Sequence, residues 1–162
     1  MNILKPTKIY DSVSSIDFDD LRSLNIKGIL IDIDNTLIDM YRNVPKEIFD
    51  WIRKAKENGF KMLVLSNTNN RKKVKFISES FDLECVSFAM KPLKWGYNRA
   101  LKKIGLKAEE VCMIGDQIFT DVLGANRLKI ASIYVKPISK KEYWYTAWKR
   151  AIENSIIKKY EC

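Results

Sequence analysis

The chain has 162 residues, 46% hydrophobic and 30% charged, with 29 Lys and Arg against 20 Asp and Glu for a net charge of +9. That length predicts a single domain, residues 1–162, able to bury about 70% of the surface its unfolded chain exposes, so folding requires no disulfide or structural metal. There is no histidine, which excludes Ser-His-Asp and Cys-His catalysis, histidine-ligated zinc or iron and histidine phosphotransfer, and leaves acid–base work to carboxylates, lysine, tyrosine or cysteine.

Met1 to Tyr10 lacks the apolar core of a signal peptide, and no apolar run approaches the roughly 20 residues that cross a bilayer, so a cytoplasmic protein is expected. Gly28 to Ile33 reads as a buried strand, short and rich in β-branched residues. Lys46 to Asn58 reads as a helix opened by Pro45 and stopped by Gly59, with Ile48, Trp51, Ile52 and Ala55 on one face. Phe60 to Leu65 is a second strand, Arg71 to Ser80 a helix, and Glu84 to Ala89 a weaker third strand. A helix opens at Lys91-Pro92 and closes at Gly105. Val111 to Ile114 is a fourth strand, a helix runs on to about Leu128, and Ile130 to Val135 is a fifth strand. Cys85 and Cys112 fall in apolar runs and read as small core residues, and with Cys162 they fit no zinc or disulfide spacing.

Alternating strands and helices predict an α/β fold, a three-layer, Rossmann-like parallel sheet covered on both faces. Ligands of such sheets bind beyond the carboxyl ends of the strands, and the reactive side chains gather there. The first strand ends in Asp32-Ile33-Asp34-Asn35-Thr36, two carboxylates on one side of an extended chain. Carboxylates so close need a shared proton or a hard cation such as Mg²⁺. The second strand ends in Ser66-Asn67, where a hydroxyl and backbone N–H groups suit phosphate oxygens. Lys91 follows the third strand, placed to neutralise a phosphoryl group. Asp116 and Asp121 follow the fourth, the first to complete an oxygen shell with Asp32 and Asp34, the second to support that shell or to orient Lys91. Each motif alone also reads as a polar turn, a helix cap or a solvated lysine. Their conjunction at four successive strand ends points to a site.

With these motifs the chain resembles the haloacid dehalogenase superfamily of phosphohydrolases: D-x-D-x-T at Asp32 to Thr36, a strand-closing serine at Ser66, a lysine before a helix at Lys91, and the acidic pair Asp116 and Asp121. Pro6 to Leu37, Ser66-Asn67-Thr68, Lys91-Pro92 and Gly115 to Arg127 extend the resemblance to the YqeG-like branch of class IIIA, which groups bacterial proteins with mitochondrial phosphatidylglycerophosphate phosphatases of fungi. The resemblance implies that Asp32 attacks phosphorus, forming an aspartyl-phosphate, and that Asp34 is the general acid and then base. It further implies that Mg²⁺ is held by Asp32, Asp116 and the Asp34 backbone carbonyl, and that Ser66, Asn67 and Lys91 bind phosphate. The implied substrate is a lipid head group, phosphatidylglycerophosphate.

Thr36 to Ser66 and Asn67 to Lys91 each hold little more than one helix and one strand, which leaves no room for a large inserted cap and predicts an open site suited to a bulky substrate. From Lys140, the residues Trp144, Trp148, Ile152, Ile156 and Tyr160 recur at i+4. They form a basic amphipathic C-terminal helix over 140–162, either packed on the core or lying in an anionic membrane at the inner face. A phosphoprotein, a nucleic-acid end or a metabolite are alternative substrates. A non-enzymatic basic binding protein for anionic lipid or nucleic acid is the alternative outside catalysis, disfavoured because the acidic set repels polyanions and no nucleic-acid-binding motif is present. A phospho-accepting receiver domain is disfavoured because no carboxylate ends the third strand.

Overall fold

The structure, a computed structural model, describes residues 2–139 and 144–161. The start of the expected tail helix, 140–143, and Cys162 lie outside the described residues. Six parallel strands form one sheet in the order β1-β6-β5-β2-β3-β4. They are β1 (Lys8–Tyr10), β2 (Gly28–Ile31), β3 (Lys61–Leu65), β4 (Cys85–Val86), β5 (Val111–Gly115) and β6 (Ala131–Val135). The helices are α1 (Phe18–Ser23), α2 (Lys46–Glu57), α3 (Arg71–Phe81), α4 (Lys94–Ile104), α5 (Leu123–Asn126) and α6 (Trp144–Lys158).

The central strands are apolar at every position, and their side chains alternate between two cores. Ile29, Ile31, Val64, Cys112 and Ile114 face α1, α2 and α3, packing with Leu21, Ile48, Trp51, Ile52, Ile77 and Phe81. Leu30, Leu63, Leu65, Val111 and Met113 face α4 and α5, packing with Tyr97, Ala100, Ile104 and Ala125. The expected three-layer α/β fold is therefore the observed one. In register, Ile31 lies beside Val64 on one side and Ile114 on the other. Asp32, Ser66 and Asp116 thus leave the sheet at one edge, on three adjacent strands.

Four features depart from the reading above. The sheet has a sixth strand, β1, whose three residues pair with Ile133, Tyr134 and Val135 of β6. So short a strand is defined by a partner more than 120 positions away in the chain rather than by local periodicity. The third expected strand shrinks to Cys85–Val86, because Phe88 and Met90 take positive φ values and turn the chain. Helix α4 starts at Lys94, after a cis Lys91–Pro92 bond. After β5 the chain first winds as a π-helix, Ile118–Val122, before α5.

Helix α6 packs on the face opposite to the expected stripe. Glu153 and Ile157 are buried, Ile157 beside Ile118, Val122 and Tyr134, whereas Trp144, Trp148 and Ile152 are exposed.

The buried Tyr97 of α4 steadies the π-helix: its hydroxyl lies 3.1 Å from the carbonyl oxygen of Thr120 and 3.0 Å from that of Asp121, as donor. Replacing Tyr97 with Phe removes that donor and leaves the carbonyls dry, an expected loss of about 1–3 kcal/mol in urea unfolding. An unchanged midpoint contradicts this role.

Candidate active site

Just past β2, the Asp32 N–H donates to the Ile114 carbonyl at 3.0 Å. The chain then folds tightly, with the N–H groups of Thr36, Leu37 and Ile38 all directed at the Ile33 carbonyl. Asn35 supplies the left-handed turn at φ 59°, a conformation asparagine tolerates. This turn separates the two carboxylates that share a motif. Asp32 is buried. Asp34 is 49% exposed and accepts a hydrogen bond from Lys73 Nζ of α3 at 2.7 Å.

Lys91 is buried and its ammonium bridges two carboxylates, donating to Asp32 Oδ1 at 2.9 Å and to Asp121 Oδ1 at 2.7 Å. Asn67 clamps its backbone: Oδ1 accepts from the Lys91 N–H at 2.6 Å and Nδ2 donates to the Lys91 carbonyl at 3.0 Å. The Asn67 side chain, expected on phosphate, is thus used to place Lys91. Ser66 is buried at the β3 end, its Oγ accepting from the Thr68 N–H at 3.2 Å.

Asp116, fully buried at the end of β5, accepts from Thr36 Oγ1 at 3.3 Å on Oδ1 and from Arg150 Nη2 at 2.6 Å on Oδ2. A second Arg150 nitrogen donates to the Asp116 carbonyl. Asp121, on the π-helix, takes the Gln117 N–H on Oδ2 at 3.1 Å. It can reach inward because Gly115 lacks a side chain, since a Cβ there would stand 2.1 Å from Asp121 Oδ2.

One carboxylate oxygen from each of Asp32, Asp116 and Asp121 lies within 4.8 Å of the others. Asp34 contributes no carboxylate to this group, and Asp121 takes the place its side chain was expected to fill. Burial pushes the Asp32 carboxyl up despite the Lys91 ammonium beside it, and pushes Asp116 up to about 8 despite Arg150. Burial works against the Lys91 charge, but Asp121 and Asp32 more than offset it and hold the ammonium protonated. The buried carboxylates of Asp32, Asp116, Asp121 and Glu153 face only Lys91 and Arg150 as basic partners in this network, two negative charges in excess. An all-oxygen donor set with that excess fits a hard divalent cation. Cys85 and Cys112 are not activated: burial raises their thiols to about 11 and about 12.

Beside the cluster opens a cleft of about 300 Å³, lined by Asp34, Asn35, Asp39, Met40, Lys73, Gln117, Thr146, Lys149, Arg150 and Glu153. No domain is inserted after the first motif or between the second and third, as the spacing requires. One wall nevertheless comes from α6, so the site is less open than expected. Lys149 Nζ donates to Gln117 Oε1 at 3.0 Å, and Glu153 Oε1 accepts the Phe119 N–H at 3.1 Å. Lys73, Arg150 and Glu153 escaped the sequence reading. Arg150 and Glu153 stand off the apolar stripe of a helix read by that stripe, and Lys73 sits within an ordinary basic helical turn.

Two outcomes follow from this geometry. The raised carboxyls of Asp32 and Asp116 favour the protonated folded form, so in cation-free protein their stabilising contribution is full below the ordinary carboxylate range and is lost as pH rises through about 6 and about 8. Cation binding displaces those protons, so the thermal stabilisation by Mg²⁺ or Mn²⁺ is expected to grow over that same interval and level off above it. A stabilisation independent of pH contradicts the assignment of the buried cluster as the cation site. Replacing Gly115 with Ala drives a Cβ into Asp121, and it is expected to weaken cation stabilisation and turnover together while the circular dichroism spectrum is kept.

The model of the haloacid dehalogenase-like hydrolases matches residues 41–129. The chain is 35% identical over 153 residues to the probable phosphatase YqeG of Bacillus subtilis, covering 94% of this chain and 88% of that protein. It is 24% identical over 160 residues to a chloroplastic/mitochondrial phosphatidylglycerophosphate phosphatase 1 of Arabidopsis thaliana, of which it spans 44%. Among solved structures, an uncharacterised protein of Listeria monocytogenes superposes with a TM-score of 0.59 at 18% identity, covering 85% of this chain and all of that one. A cobalt-bound deoxy-D-mannose-octulosonate 8-phosphate phosphatase of Haemophilus influenzae gives 0.56 at 15% identity over 69% of each chain, a likeness of fold. With four motifs, one catalytic edge and these relatives in agreement, the chain belongs to the haloacid dehalogenase-like hydrolases, among their phosphatases.

Proposed function

We propose that the protein is a Mg²⁺-dependent phosphomonoesterase that works through an aspartyl-phosphate on Asp32 and removes the terminal phosphate of phosphatidylglycerophosphate. The observation that carries the chemistry is the Lys91 ammonium between Asp32 and Asp121 at 2.9 and 2.7 Å, beside a half-exposed Asp34 in the cleft. The lipid is supported by the relative of that name and by the cleft wall that α6 provides.

In this reading Asp32 attacks phosphorus as the bond to the leaving alkoxide breaks, and Asp34 gives that oxygen its proton. A water then attacks the aspartyl-phosphate, Asp34 takes the proton of the water, and Asp32 is released with inorganic phosphate. Lys73 holds Asp34 at the cleft, between the buried cluster and solvent. Lys91 and Ser66 hold equatorial phosphate oxygens, and Asn67 and Asp121 keep Lys91 in place. Asp32 and Asp116, with the Asp34 backbone carbonyl, would hold the cation, and Asp121 would support them from the other side of Lys91. When bound, the cation neutralises charge that develops on the phosphoryl oxygens.

Phosphate release from phosphatidylglycerophosphate in mixed micelles tests this, with glycerol 3-phosphate and an aryl phosphate as soluble comparisons. Strong Mg²⁺-dependent release from the lipid is expected, none from Asp32→Asn, and a loss of about 10²–10⁴ in turnover for Asp34→Asn with inorganic phosphate still bound. Full turnover in Asp34→Asn overturns the acid–base role. Cleavage of the aryl phosphate alone overturns the lipid substrate and redirects the search to phosphoproteins, nucleic-acid ends and metabolites.

A further inference from the structure

Helix α6 is amphipathic the wrong way round for a surface helix. Its charged residues Lys149, Arg150 and Glu153 point into the protein, where they bond Gln117, Asp116 and the Phe119 N–H. Its outward face carries Trp144, Ala147, Trp148, Ala151, Ile152 and Ser155, with no charge among them. Trp144 is 86% exposed, Trp148 65% and Ile152 45%. A surface helix ordinarily presents its polar side to water. An apolar face turned outward marks a contact surface.

The rim of the cleft continues this face. Met40 lines the cleft, and its N–H donates to Ser139 Oγ, at the approach to α6. Met40 and the neighbouring Tyr41 are both exposed. Exposed basic residues border the strip: Arg42 beside Tyr41, and Lys158 and Lys159 at the end of α6. Among the described residues, no helix is long and apolar enough to cross a membrane.

We propose that the outward face of α6, with Met40 and Tyr41, is a membrane-contact surface that seats the protein on an anionic bilayer with the phosphate cleft beside the lipid head groups. The proposal rests on the lipid reading of that cleft for its purpose, not for its physical basis. Tryptophan favours the depth between head group and acyl chain, and a neutral apolar strip bordered by lysine and arginine, on a chain of net charge +9, matches an anionic surface. A second copy of the chain is the weaker occupant. Fifteen helical residues give a strip about 22 Å long and about 10 Å wide, well short of the roughly 800 Å² per partner of a stable interface.

The test is co-sedimentation of the full chain with vesicles of phosphatidylcholine and phosphatidylserine, which carry no phosphomonoester and so do not engage the catalytic site as substrate. Wild type is expected to bind, more weakly to phosphatidylcholine alone and at high salt. The variant Trp144→Ser/Trp148→Ser/Ile152→Ser is expected to bind at least about tenfold more weakly, while aryl phosphate turnover and the circular dichroism spectrum stay at wild-type values. Vesicle binding absent in wild type, or equal in the variant, overturns the proposal. A wild-type dimer in sedimentation velocity that the variant converts to monomer also overturns it and assigns the face to self-association. Absent turnover of the aryl phosphate, with vesicle binding intact, instead sinks the phosphatase chemistry and leaves the contact surface standing.

Discussion

The site depends on one buried ammonium. Lys91 Nζ lies between Asp32 and Asp121, and the neighbouring elements are arranged to keep it there. Asn67 fixes its backbone from the end of β3, Gly115 leaves room for Asp121, and Tyr97 steadies the turn on which Asp121 sits. Removing one partner from such a buried network typically costs about 3–5 kcal/mol, because the remaining charge is left without compensation. The same ammonium that stabilises the folded site is placed to meet phosphoryl oxygens, so folding and catalysis draw on one interaction.

The network remains two positive charges short of neutral. That shortage explains why the Asp32 and Asp116 carboxyls are pushed up, and it prepares the cluster for a divalent cation. Arg150 supplies part of the compensation from a helix remote in sequence. By occupying Asp116 Oδ2 it leaves Oδ1, on the Thr36 side, as the oxygen to offer. A guanidinium suits this task because its fork takes the side chain and the carbonyl of Asp116 together.

Helix α6 therefore relates two environments. Its inner face, polar and buried, completes the charge balance of the site and walls the cleft. Its outer face is apolar. Relatives of this fold often enclose their site with an inserted domain, whereas the segments after the first and second motifs here hold only the elements of the sheet and its covering helices. The wall comes instead from the C-terminal helix, and the mouth of the cleft and the apolar strip lie on one helix, within a few residues of each other.

Much of this was legible in the residues themselves. Strand and helix alternation is local, so the α/β class followed from periodicity, and the motif residues Asp32, Ser66, Lys91 and Asp116 fell at one edge because every central strand runs the same way. Family membership was legible for the same reason, since its motifs sit at strand ends that local pattern locates. What tertiary structure alone decided was pairing across distance. Strand β1 exists only beside β6, Asp34 turns away from Asp32 toward Lys73, Asn67 serves the backbone of Lys91, and α6 presents its charged face inward. A helical wheel gives which residues share a face but not which face is buried. Ordinarily hydrophobicity answers that question, but here the network around Asp116 and Glu153 is worth more than burying two tryptophans, and it reverses the answer.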